Sequence, residues 1–125
     1  PFDPPAEYLD RMDVGSMPLP LFQPEELESQ LAFEGIDHQT ERPLSPEDYD
    51  ARHMIAAYYA QIELIDDQVG RILDALEASG QREDTLILFT SDHGEMLGDH
   101  GLVLKGCRFY EGAVHVPLIF PGQAM

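Results

Sequence analysis

The chain has 125 residues and a formal net charge of −17, from 24 acidic against seven basic residues, a length that suits one domain or a piece of a larger one. Six of the basic residues are arginines and Lys105 is the one lysine, which argues against a nucleic-acid or anionic-membrane surface, since those need clustered cations. No apolar run approaches the roughly 18 residues of a membrane span, and a single cysteine, Cys107, leaves no internal disulfide framework and no multi-cysteine zinc site.

The chain opens on Pro1 with no charged-then-apolar leader, so its true start is expected upstream. The first 46 residues hold eight of the ten prolines. Their turn chemistry predicts an extended, acidic, Pro-rich arm over 1–44, with at most a short helix near residues 24–31. Such an arm cannot form its own core and is expected to lie over something else.

A helix signal follows at "SPEDYD". Ser45 suits the N-cap, Pro46 the first turn, and Glu47 and Asp48 the positive end of the dipole. Ile55, Tyr58, Ile62, Ile65, Val69, Ile72 and Leu76 step by three and four, one continuous helical face, and Gly80 suits the residue after the stop. The spacing predicts a helix over 46–79, on the order of 50 Å long. A helix of that length implies a broad sheet beneath it.

"TLILFT", residues 85–90, is a continuous apolar run, the pattern of a central strand of a parallel sheet buried on both faces. "VHVPLIF", residues 114–120, reads as a second strand, weakened by Pro117. Helix, buried strand, loop and strand make an α/β fragment, expected to continue beyond "PGQAM". Residues 45–125 are thus expected to form part of an α/β domain, with the loop 91–113 carrying its chemistry.

That loop says Asp-His-Gly twice, at Asp92-His93 and at Asp99-His100. The first pair stands at the carboxyl end of the buried run, the edge where open α/β sheets bind ligands, and Gly94 gives the chain freedom to bend there. A carboxylate beside an imidazole suits a divalent cation. An isolated pair is a weak signal, and a loop cap with an ordinary polar histidine is the simpler reading from spacing alone. For Asp99-His100 the residues favour a turn with side chains that shape the loop. Glu95 reads as a general acid or, more simply, as a hydrogen bond that orients the loop. Lys105 reads as an anchor for an anionic substrate oxygen or as a surface lysine. Cys107 lacks a base at known distance and reads as a small thiol rather than a nucleophile. His115 reads as structural, and Tyr110 and Glu111 as packing and loop contacts.

The stretch "YYAQIELIDDQVGRILDALEASGQREDTLILFTSDHGEMLGDHGLVLKG", followed by "YEGAVHVPLIFPG", resembles the sulfatase family of the alkaline-phosphatase-like superfamily, and "PFDPPAEY" resembles a segment of the same family. The likeness covers nearly the whole chain and is densest over 58–122. It implies an α/β, alkaline-phosphatase-like three-layer fold with a mostly parallel sheet and a long helix packed on it.

It further implies that Asp92 and His93 ligate the active-site divalent cation and that Lys105 touches the sulfate, with Leu104 in place of the first glycine of the family's "GKG". Glu95, Asp99 and His100 stay as loop or outer contacts. The cation is calcium by resemblance, with manganese or another divalent ion open because His93 brings a nitrogen donor. The family's formylglycine signature, C/S-x-P-x-R, is not matched here, so the chain is expected to be an internal or C-terminal piece of the catalytic domain, inactive by itself.

The implied function is hydrolysis of a sulfate ester. The alternatives are a phosphonate monoester or phosphodiester hydrolase of the same superfamily, or a non-catalytic fragment. The expected partners are an anionic small-molecule ester and the remainder of the chain's own catalytic domain, with no nucleic acid and no membrane. The residues read as soluble and do not separate a cytoplasmic from a periplasmic location.

Overall fold

A computed structural model of the chain describes residues 2–33, 43–105 and 108–120. The first of these segments is not an extended arm. It folds into helix α1 (Ala6–Leu9), a 3-10 turn (Val14–Ser16) and helix α2 (Glu26–Leu31). The turn is set by Asp13, whose carboxylate accepts from the backbone of Gly15 at 3.1 Å. The second proline-spaced stretch supplies α2 at the place where the sequence allows a short helix.

Its cover is the long helix that follows in the same chain. Tyr8 is 7 % exposed, and its hydroxyl donates to Asp67 at 2.8 Å. Phe2 meets Tyr58 edge to face with ring centres 5.8 Å apart. Arg52 donates from Nη1 to the carbonyls of Gly15 and Met17, closing two backbone acceptors that the irregular segment cannot satisfy itself. The exposed Arg11–Glu63 pair, at 3.5 Å, adds little by comparison.

The long helix α3 spans Ala51–Ala78 rather than the expected 46–79, about 42 Å instead of about 50 Å. Ser45 does not cap it. The Ser45 hydroxyl accepts from Glu47 and its N–H donates to Asp48, a local turn that occupies residues 46–50. Asp50 takes the cap position, its side chain accepting from His53 at 3.0 Å. At the other end Gly80, with φ of +69°, follows the Ser79 C-cap.

The buried face of α3 is its first third: Ala51, Ile55, Ala56, Ala57 and Ala60. The apolar row continues to the C-terminus as its periodicity requires, but Ile62 is 47 % and Ile72 67 % exposed within this chain. The broad sheet expected beneath it reduces, among the described residues, to strand β1 (Phe89–Thr90) paired with strand β2 (Leu118–Ile119).

The one pair that the described residues form is antiparallel, Phe89 opposite Ile119 and Thr90 opposite Leu118, and a mostly parallel sheet is a property of more strands than these two. Two expectations are corrected here. The run 85–90 is not buried on both faces, Leu86 being 78 % exposed, because the described residues contain no third strand to flank it. The strand expected over 114–120 starts late, since helix α4 (Glu111–Val114) takes the N–H groups of Val114 and His115 into its own turns and Pro117 has none to give.

A second small core lies under the loop between the strands, built of Met96, Leu102 and Ala113 with Tyr110 packed against it. No described helix is long and apolar enough to cross a membrane.

Candidate metal and anion site

The chain leaves β1 into Ser91-Asp92-His93-Gly94. The Ser91 hydroxyl donates to the carbonyl of His93 at 2.7 Å, and the N–H of His93 donates to Asp92 Oδ1 at 3.0 Å. That backbone donor, together with the adjacent His93 ring, holds the Asp92 carboxyl below the usual carboxylate range. The side chain is 85 % exposed.

His93 Nδ1 stands 2.8 Å from the carbonyl oxygen of Gly94. A carbonyl only accepts, so this contact places a proton on Nδ1, and in the neutral ring the lone pair is then on Nε2. Nε2 lies 3.6 Å from Asp92 Oδ2. The pair is open to solvent, and a ring whose second nitrogen is fixed by a carbonyl is the usual arrangement of a metal-ligating histidine. The donor set therefore fits a divalent ion, with two ligands. Among the described residues no group of three or more His, Cys, Asp or Glu could hold a metal, so further ligands would have to come from elsewhere.

Gly94 matters for a reason the sequence did not supply. It is not among the positive-φ glycines. Its N–H donates to Ala113 at 2.8 Å, and a Cβ on it would fall 2.1 Å from the carbonyl oxygen of Gly112. Close approach of two backbones, rather than a bend, is what excludes a side chain. The approach sets His93 beside Ala113 and Val114.

From Glu95 the chain doubles back through a tight loop, with Met96 donating to Leu104 at 3.1 Å and Gly98 to Leu102 at 2.8 Å. Three residues other than glycine, Leu97, His100 and Leu104, adopt positive φ. The result is that Asp92, His93 and Lys105 line one open cavity of about 480 Å³, together with Arg108, Phe109, Ala113 and Val114.

The remaining candidates are elsewhere. Glu95 accepts from Leu97 at 3.4 Å and lines a neighbouring depression of about 380 Å³ with Tyr58 and His93, outside the cavity that holds Lys105. Asp99 accepts from the backbone of Leu21 at 2.7 Å. His100 Nδ1 meets Glu26 Oε1 at 2.6 Å, and its ring stacks on Tyr110. The second Asp-His-Gly thus faces the N-terminal segment. His115 is no strand residue. It follows α4 and makes an exposed i,i+4 pair with Glu111 at 3.2 Å. Cys107 lies outside the described residues.

Sequence reasoning missed Arg108. Its guanidinium lies 4.2 Å over the ring of Phe33, and it contributes to the same cavity as Lys105. The available signal was a second cation three residues after the one lysine of a strongly acidic chain.

Comparison with known proteins identifies the family of the chain. The family model described as Sulfatase matches residues 5–123. The chain is 38% identical over 113 residues to the choline-sulfatase of Rhizobium meliloti (strain 1021), covering 90% of this chain and 21% of that protein. It is 36% identical over 127 residues to the arylsulfatase of Clostridium perfringens (strain 13 / Type A), covering 100% of this chain and 26% of that one. Among solved structures, the phosphonate monoester hydrolase of Agrobacterium radiobacter superposes with a TM-score of 0.77 at 32% identity, over 96% of this chain and 26% of that one. The chain spans about a quarter of the length of these relatives.

Proposed function

This chain belongs to the sulfatase family, with structural relatives of alkaline-phosphatase-like fold, and from that premise we propose that it is part of a metal-dependent hydrolase of sulfate esters. Asp92 and His93 supply two ligands to a divalent cation, and Lys105 binds an oxygen of the ester's anionic group. The observation that carries this reading is the single cavity shared by Asp92, His93 and Lys105, which joins an acceptor pair to a cation 12 residues further along the chain.

The chemistry asked of these residues is limited. The backbone N–H donated to Asp92 favours its ionised form, and the Gly94 carbonyl holds a proton on His93 Nδ1, with Nε2 3.6 Å from Asp92 Oδ2. Lys105, a compact point charge, holds a sulfate oxygen and offsets the negative charge spread over the sulfuryl oxygens, while the electron pair of the breaking S–O bond leaves with the alcohol oxygen. A bound divalent cation would supply Lewis-acid polarisation of the ester oxygens. The His93 nitrogen favours manganese or another borderline ion over calcium, which prefers oxygen alone. The nucleophile, formylglycine by resemblance, is assigned to the part of the protein outside this chain, and the 125-residue chain by itself is taken to be inactive. The remainder of the catalytic domain is assigned to the exposed row Ile62, Ile65 and Ile72.

The likeness to a phosphonate monoester hydrolase supports a second reading, in which the same residues bind a phosphonate or phosphodiester. The deciding experiment compares kcat/KM of the complete protein for an aryl sulfate and for an aryl phosphonate monoester carrying the same leaving group. Preference for the sulfate upholds the first reading, and preference for the phosphonate replaces it with the second.

A further inference from the structure

Glu26, Gln30 and Phe33 are four and three residues apart, so they share one face of α2 and of the turn that ends it. Each of them meets the loop that carries the candidate anion site. Glu26 Oε1 holds His100 Nδ1 at 2.6 Å. Gln30 is 3 % exposed, and its amide donates to the Tyr110 hydroxyl at 3.1 Å. Phe33 lies under the Arg108 guanidinium at 4.2 Å. His100 and Tyr110 stack with ring centres 4.1 Å apart, which joins the first two contacts into one network. Leu21, ahead of α2, adds two backbone bonds, donating to Asp99 and accepting from His100, both at 2.7 Å.

The gripped positions, 99–100 and 108–110, bracket Lys105. The stretch 97–104 that leads to Lys105 is strained, with Leu97, His100 and Leu104 all at positive φ, and such a conformation persists only when its surroundings over-determine it. One of the strained residues, His100, is itself the residue that Glu26 holds.

We infer that α2 is a clamp for the substrate loop, and that Glu26, Gln30 and Phe33 are positioning residues that fix Lys105 and Arg108 relative to Asp92 and His93 without touching substrate. The inference rests on the reading of Lys105 as the anion-binding residue. A displacement of about 1 Å at such a group is enough to cost up to about a hundredfold in rate.

A double-mutant cycle on the complete protein at saturating divalent metal tests it. Glu26→Gln is made alone and combined with Lys105→Ala, and kcat/KM is measured with whichever of an aryl sulfate or an aryl phosphonate the protein turns over. The expected result is about a tenfold loss from Glu26→Gln with Lys105 present and less than about twofold with Lys105 replaced, bound metal remaining at the wild-type level, since a positioning effect vanishes with the group it positions. Equal losses in both backgrounds, or no loss in either, would overturn the clamp and leave α2 a stability element. Wild-type turnover in Lys105→Ala alone is a separate outcome, which overturns the anion-site reading and the clamp with it. If Glu26→Gln does not fold, Phe33→Leu is carried through the same cycle, and the same pattern of losses upholds or overturns the clamp.

Discussion

His100 Nδ1 stands 2.6 Å from Glu26 Oε1, across 74 residues of sequence. The contact is more than half shielded on both sides, and the hydrogen bond from His100 is the main reason that the Glu26 carboxyl sits below the usual glutamate range. A carboxyl with a depressed folded pKa contributes stability that is complete above its unfolded value, about 4.3, and that is lost as pH falls through the lower folded value. Glu26→Gln should therefore destabilise the protein by about 1 kcal/mol near neutral pH, with the difference closing below about pH 4. Urea unfolding of both proteins at pH 7 and pH 3.5 checks this, and an undiminished difference at the lower pH would refute the linkage.

Gly94→Ala should be severe. Its Cβ would come 2.1 Å from a backbone carbonyl oxygen, which cannot swing away as a side-chain tip could. The loss should reach about 1–3 kcal/mol, as for overpacked cores, and divalent metal should bind more weakly because His93 is next to the displaced residue. Thermal melting and metal titration read the two effects. A mutant with wild-type melting would mean that the two strands of backbone are not held this close.

Leu104 carries φ of +70°, where the resembling family has glycine. A residue with a side chain pays roughly 1–2 kcal/mol to adopt that region, and a β-branched one fares worst. The expected order of melting temperatures is Leu104→Gly at or above wild type, and Leu104→Val clearly below it. The reverse order would count against the left-handed turn.

Removal of metal by a chelator should abolish turnover by the complete protein, and manganese should restore more of it than calcium does, because His93 offers nitrogen. Asp92→Ala should lower metal occupancy. Lys105→Ala should leave occupancy intact and reduce kcat/KM by about 10²–10³, the usual loss of one oxyanion donor. Metal analysis beside steady-state kinetics separates the two roles, and loss of metal in Lys105→Ala would place that lysine on the wrong side of the division.

Some of this is written locally. The three-four stepping from Ile55 to Leu76 marks a helix because its period is a property of the backbone, and Gly80 marks its end. The start is ambiguous, since both Ser45 and Asp50 are good caps. The outcome depends on Ser45 engaging Glu47 and Asp48 in a turn of its own. Arg108 escapes a reading of the sequence because its proximity to Lys105 in a cavity depends on how the loop returns, which no short-range pattern encodes. The second Asp-His-Gly reads locally as a turn that shapes the loop, but its partners, Leu21 and Glu26, are more than 70 residues away and out of reach of any spacing argument.

The sequence by itself determined the family, the long helix and the acidic character, since these follow from motif, from one-dimensional period and from composition. Only the tertiary structure decided that the two strands pair antiparallel, that Gly94 is excluded from bearing a side chain by the Gly112 carbonyl, and that one face of α2 holds the loop on either side of Lys105. Those are contacts between residues distant in the chain, and their energies depend on distances that exist only after the backbone has closed on itself.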